Sequence, residues 1–176
     1  MPFTILLIAD LVVVAVGALI FGPRLHKTMQ RKRQTANAVM IQNVESGKVV
    51  RPKAANIADG TPIVQYLPQN WECVTWQMIA IGNDEYLLKD LYTQKSFNPA
   101  TPTAGATLVQ MPIGGNALQH WRFEEVQAHQ FRIRLADAAL YLTSPNDQVN
   151  AALTLEPLDD QHTAQVWELK PQQPII

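Results

Sequence analysis

The chain has 176 residues, of which 47% are hydrophobic and 16% charged. That length suits one domain of ordinary size with an additional segment, and the composition excludes both a disordered chain and one wholly embedded in a membrane. The net charge of −1 hides an asymmetry: up to Ala36 five basic residues stand against the single acid Asp10, which leaves nine basic and fourteen acidic residues beyond it. The larger part is therefore mildly acidic, and nucleic acid is not an expected partner.

The first element is the run "FTILLIADLVVVAVGALIF" at residues 3–21, with one charge. As a helix it is about as long as a bilayer's hydrocarbon core is thick. A cleaved signal peptide is the rival reading, but "MPFT" has no basic start and the apolar run is long for one. Residues 1–22 are therefore predicted to be a transmembrane helix, with the lipid bilayer as partner. Gly22-Pro23 ends it. Residues 23–36, with Arg24, Lys27, Arg31, Lys32 and Arg33, form a basic linker. Basic residues are retained on the cytoplasmic side, which places the N-terminus outside and the larger domain in the cytoplasm. Asp10 lies near mid-span, and helical spacing puts Val14, Gly17 and Phe21 on about its face. An acid and a small residue on one face suit contact with a partner transmembrane helix or membrane complex. A protonated Asp10 tolerated in a very apolar helix is the alternative.

From residue 37 to 171 the chain repeats itself. Trp76, Trp121 and Trp167 stand 45 and 46 residues apart. Counting back from each tryptophan gives Gln65, Gln110 and Glu156 at eleven residues, and Gly60, Gly105 and Ala151 at sixteen. "DGTPIVQY" and "AGATLVQM" then align without a gap, and "NAALTLEP" is a degenerate third copy that sets Thr154 against Ile63 and Leu108. The runs "AVMIQNV", "YLLKDL" and "FRIRLA" alternate and are bounded by turn residues, so they read as strands. Four short strands per unit of about 45 residues, in three copies, are too few units for a propeller. Three such units closing on a threefold axis make an all-β β-trefoil, in which the tryptophans are structural anchors of a shared core. Residues 172–176 are left as a tail.

Gln119–Trp121 and Gln165–Trp167 carry the triplet Q-x-W, and "SGKVV" followed by "ADGTPIVQY" opens the first unit. These motifs resemble the ricin B-type lectin repeat across roughly Asn37 to Lys170. The first unit departs from it, with Val74 where the glutamine should be. The resemblance implies a sugar pocket in each repeat, built from an aspartate after the "SGK" turn, an aromatic platform and amides. A carboxylate and amides match paired hydroxyls, and a ring matches the apolar face of a sugar. Alignment puts Arg51, Asn98 and Thr143 at the aspartate position. Leu67, Pro112 and Leu158 take the aromatic position, with Tyr66 one place away, and Leu118 and Ala164 stand where an amide is expected. The carbohydrate-binding remnant is thus Asn98, Gln110 and Gln119 of the second repeat, although Gln119 reads more readily as a structural hydrogen bond within the fold.

Cys73 is the only cysteine, so no intrachain disulfide is available, where many secreted lectins of this type brace their repeats with several. The four histidines show no metal spacing, and His120 should be solvated on an outward strand face. Glu124–Glu125 and Asp159–Asp160 read as solubility features. No phosphate loop, nucleophile elbow or Cys/His pair is present, so neither a cofactor nor catalysis is expected. Trp71, in the loop before the first anchor, is either an exposed surface contact or a ring folded over the barrel end. The sequence thus points to a non-catalytic, membrane-anchored trefoil acting as an interaction or scaffold subunit. A membrane-tethered lectin that binds a glycan is the alternative.

Overall fold

Short runs rich in Val, Ile, Leu and Tyr, bounded by Gly, Pro, Asn and Asp, form twelve strands among the described residues. In the computed structural model, Thr35 and residues 37–174 are described. The expected transmembrane helix with Asp10 and Gly17, and nearly all of the basic linker, lie outside the described residues. Among the described residues no helix is long and apolar enough to cross a membrane. Residues Asn37–Ile176 make up one compact unit.

The strands are β1 (Ala38–Asn43), β2 (Val49–Pro52), β3 (Ile63–Tyr66), β4 (Trp76–Gly82), β5 (Glu85–Asp90), β6 (Ser96–Pro99), β7 (Leu108–Met111), β8 (His120–Gln127), β9 (Gln130–Leu135), β10 (Tyr141–Thr143), β11 (Thr154–Glu156) and β12 (Val166–Pro171). All pairings are antiparallel. β1 pairs β4, β4 pairs β5, β5 pairs β8, β8 pairs β9, β9 pairs β12, and β12 returns to β1. Six strands thus close a barrel and leave no free edge in it. The remaining six form the hairpins β2–β3, β6–β7 and β10–β11. Each repeat contributes two barrel strands and one hairpin, which is the trefoil expected from the sequence.

The hairpins meet in a triangle. Single bridges Pro62↔Val109, Thr107↔Thr154 and Val64↔Ala152 join them in turn. Three reciprocal hydrogen-bond pairs repeat the same step: Gly60 N–H to the Gln110 carbonyl with Gln110 N–H to Thr61, Gly105 to Leu155 with Leu155 to Ala106, and Asn150 to Gln65 with Gln65 to Ala151. Gly60 and Gly105 hold φ of 77° and 78°, and Asn150 holds 66° at the third corner. All three adopt the left-handed region that glycine and asparagine enter most cheaply.

These contacts correct the register of the third repeat by one residue. Leu155, not Glu156, corresponds to Gln65 and Gln110, and Leu153, not Thr154, corresponds to Ile63 and Leu108. Leu142 pairs Leu155 just as Val50 pairs Gln65 and Phe97 pairs Gln110. The physical reason is that a hairpin tolerates no slip, because one residue of shift turns every side chain to the opposite face. The extra residue is absorbed instead in the loop before β12. Gln165 reaches back six residues to the Asp159 N–H, where Gln119 reaches five to Gly114.

In this register the core is four stacked triads: Trp76, Trp121 and Trp167; Ile41, Leu88 and Ile133; Val50, Phe97 and Leu142; Ile63, Leu108 and Leu153. All twelve side chains are buried in one cluster. Phe97 fills the space between two anchors, with its ring 5.1 Å from both Trp76 and Trp121. Each repeat supplies one member of every triad, and none could bury its share alone.

Candidate functional site

Each repeat presents the same local frame: a residue on the outer hairpin strand, a loop after the inner strand, and a short 3₁₀ turn before the anchor tryptophan. In the second and third repeats the glutamine of Q-x-W ties the three together. Gln119 Nε2 donates to the Pro112 carbonyl at 3.0 Å and to Asn98 Oδ1 at 3.4 Å, while its Oε1 accepts from Gly114 N–H at 3.3 Å. Gln165 repeats this with the Pro157 carbonyl at 2.8 Å, Thr143 Oγ1 at 3.2 Å and Asp159 N–H at 2.9 Å. Both glutamines are almost wholly buried. Each acts as a clasp, holding its loop down and fixing the residue at the aspartate position.

The second-repeat remnant is engaged from within. Asn98 is 6% exposed, and its Nδ2 donates to the Pro99 carbonyl at 2.8 Å while its Oδ1 takes Gln119. Gln110 is fully buried on the opposite side of the hairpin, where its Nε2 donates to the carbonyls of Asn56 and Ala58 in the first-repeat loop. Gln65 does the same for Asn146 and Gln148 of the third repeat. The structure therefore joins Asn98 to Gln119 but sets Gln110 to brace a neighbouring repeat.

The third repeat carries a cavity of about 490 Å³, lined by Thr143, Pro157, Leu158, Gln165 and the acids Glu156, Asp159 and Asp160 among others. Here the corrected register matters again. Pro157 corresponds to Pro112 at the expected aromatic position, and Leu158, 51% exposed, is its neighbour on the rim. Ala164 at the amide position opens the wall rather than offering a donor.

The first repeat is built differently. Val74 cannot clasp, and Arg51 takes the space. Its guanidinium carbon lies 3.6 Å from the centre of the Tyr66 ring, a cation–π contact, and Tyr66 stacks on Trp71 with ring centres 6.4 Å apart. Trp71 is half-buried against Val49, Cys73 and Val74. Burial pushes the Cys73 thiol up, and the nearby Asp90 adds to this while Arg51 opposes it.

Residues 27–111 match a family model described as a ricin-type beta-trefoil lectin domain-like. The domain is a β-trefoil, and that stretch is similar to the ricin-type family. Among solved structures it is similar to the designed threefold-symmetric protein ThreeFoil, with TM-score 0.73 and 19% identity over 76% of this chain and 98% of that one. It is also similar to the Rhizoctonia solani agglutinin, with TM-score 0.69 and 16% identity over 77% of this chain and 95% of that one. The ricin B-like lectin of Macrolepiota procera, solved in complex with lactose, has TM-score 0.65 and 17% identity over 76% of this chain and 94% of that one. No curated protein matches the sequence.

Elsewhere on the trefoil, His120 is not simply solvated. Its Nδ1 lies 3.2 Å from Glu85 Oε2, and Arg122 reaches Glu85 Oε1 at 2.9 Å. Arg122 first, then His120, holds the Glu85 carboxyl below its usual range. Of the Glu124–Glu125 pair, Glu124 accepts the Tyr141 hydroxyl at 3.1 Å. Among the described residues no group of three or more His, Cys, Asp or Glu side chains could hold a metal ion. Asp90 was not singled out by spacing, and Arg51 was seen only as a non-acid at the aspartate position. The aligned turns "NVESGK" and "DLYTQK" contain the signal for Asp90, since both open on a side chain suited to cap its own turn.

Proposed function

We propose that the chain is a non-catalytic binding module, tethered to the membrane through residues 3–21, whose trefoil engages an interaction partner through the third-repeat groove. The observation that carries this reading is the difference between equivalent positions. Arg51 fills the first from within and Asn98 is tied into the second, whereas Thr143 and Leu158 line a cavity in the third. The groove pairs an exposed leucine with Glu156, Asp159 and Asp160, a surface suited to an apolar and basic side chain of a partner protein.

A lectin role is the second reading. It is favoured by the position of the groove and by the lactose complex of the Macrolepiota procera lectin. Against it stands the chemistry, with a threonine, a proline and an alanine where a carboxylate, a ring and an amide would contact sugar.

Two measurements separate the readings. The 176-residue chain in detergent is expected to bind lactose and other neutral sugars with Kd no tighter than about 1 mM. Thr143→Asp, which supplies a charged acceptor, should improve this by roughly tenfold. A photo-crosslinking residue at position 158, in membranes, should give a discrete protein adduct that the same residue at position 113 does not. Submillimolar sugar binding by the unmodified chain, lost in Gln165→Ala, would establish the lectin reading instead.

A further inference from the structure

We propose that the segment Trp71–Thr75, built on the 3₁₀ turn Glu72–Val74, is a proton-latched flap: a neutral Asp90 beneath it holds it down, and loss of that proton loosens it. The acid is one that the fold does not require. Three equivalent residues stand opposite the anchor tryptophans: Asn43 faces Trp167, Asp90 faces Trp76 and Leu135 faces Trp121. All three are buried, and at one of them a leucine suffices. The Asp90 carboxyl uses Oδ1 to cap its own turn at Tyr92 and Thr93. Its Oδ2 is shielded from solvent and has no hydrogen-bond partner among the described residues.

Threefold equivalence shows what Oδ2 faces. Asn43 donates to the carbonyls of Ala164 and Val166, three residues and one residue before Trp167. The residues three and one before Trp76 are Cys73 and Thr75, both in the flap. A neutral carboxyl donates to such carbonyls, and a carboxylate sets its charge against them. The titratable and charged groups around it are Glu72 and Cys73 on the flap, Arg51 on β2, and Tyr92 and Lys95 on its own turn. Burial lifts Asp90 to about 7, and Glu72 adds to this. Burial and then Asp90 raise the Cys73 thiol, which Arg51 lowers. Lys95 pairs with Asp59.

The flap also lacks a fastening that its counterparts have. Gln119 and Gln165 clasp the 3₁₀ turns of the second and third repeats to their loops, and Val74 stands in their place in the first. The flap's Val74 N–H and Thr75 Oγ1 donate to the Trp71 carbonyl, and Thr75 N–H donates to Glu72. Leu91 N–H ties the flap to the end of β5 at the Thr75 carbonyl, 3.0 Å away. Trp71, Cys73 and Val74 pack with Val49 and Met40 in a small cluster apart from the main core. A segment fastened in this way opens at lower cost than the barrel on which it lies.

Closed, the flap keeps the Asp90 proton; opened, it lets water reach the carboxyl, which ionises as an exposed acid does. Opening therefore grows easier as pH rises from about 4 to about 7 and levels off above that. An acidic medium holds the first repeat shut, and a neutral one loosens it.

Cys73, 7% exposed and the only cysteine, reports the opening. The 176-residue chain in detergent is reacted with 4,4′-dithiodipyridine from pH 5 to 8, and each rate is divided by that of glutathione at the same pH. The ratio should rise by up to about tenfold per pH unit to about pH 7 and then flatten. It should be nearly independent of pH in Asp90→Asn. Low urea should barely change it, because a local opening exposes little surface. The proposal is overturned if the ratio is flat in the unmodified chain, if Asp90→Asn shows the same rise, or if urea accelerates the reaction as steeply as it unfolds the whole trefoil. The pH and urea profiles of the unmodified chain keep the test decisive should the variant fail to fold.

Discussion

Asp90→Asn should stabilise the trefoil at pH 8 and leave it nearly unchanged at pH 5. Asp90 is fully buried at the end of β5, and its Oδ1 caps the following turn by accepting from Tyr92 and Thr93 N–H at 3.1 and 2.7 Å. Its other oxygen finds no hydrogen-bond partner. The first repeat shows what belongs there. Asn43 occupies the equivalent place, caps its turn with Oδ1, and donates through Nδ2 to the carbonyls of Ala164 and Val166 at 2.9 and 3.2 Å. The matching carbonyls near Asp90 belong to Cys73 and Thr75, and Thr75 already accepts Leu91 N–H as Val166 accepts Val44. A neutral carboxyl can donate to them, whereas a carboxylate can only repel them.

Burial accordingly pushes Asp90 up to about 7, against 3.8 when exposed. The sign follows directly. Between these values the folded chain holds a proton that the unfolded chain has released, so stability falls as pH rises from about 4 to about 7. The full span corresponds to about 4 kcal/mol, an upper bound for so buried a group. Urea melts of the unmodified chain and Asp90→Asn across pH 5–8.5 should converge in acid and separate by about 1–3 kcal/mol at pH 8. An equal offset at both ends, or no gain at pH 8, would sink the assignment.

The second large effect concerns the anchors. Truncating Trp76 or Trp167 to alanine should cost about 3–5 kcal/mol, because each is a fully buried member of the central triad. The informative comparison is with phenylalanine. Trp76 and Trp167 donate Nε1–H to the carbonyls of Val50 and Leu142, both at 2.9 Å, while Trp121 Nε1 has no partner. Trp121→Phe should therefore be milder than Trp167→Phe by about 1 kcal/mol. Equal losses in thermal or denaturant unfolding would mean that the ring's area, not its N–H, sets the order.

Much of this architecture was legible because symmetry writes it three times. The 45-residue period located all three anchors, the left-handed glycines and the four strands of each unit. It failed where one repeat carries an extra residue. Counting back from Trp167 pushed that residue into β11, although "MPIGG" and "EPLDD" already set Pro112 against Pro157. The site was less legible for a different reason. Spacing shows that Asn98, Gln110 and Gln119 are present, but not that Gln110 turns inward to another repeat or that Asn98 is consumed by Gln119. Arg51 was visible only as a missing acid. Its role depends on Tyr66 and Trp71, which the fold brings to it across a hairpin and a loop.

The closure of the barrel between β1 and β12 has a consequence for the order of the chain itself. Val39 faces Pro171 across that seam, and Gln172 N–H bonds the Ala38 carbonyl at 3.0 Å. The two ends of the trefoil are thus stitched side by side, and the ring of strands has no physical beginning. A circular permutant that joins residue 172 to residue 37 by a short linker and opens the tight turn between Gln127 and Gln130 would keep every strand pairing. Which repeat comes first is then set only by where the ring is opened, and what distinguishes the repeats is the side chains each carries and the extra loop residue of the third.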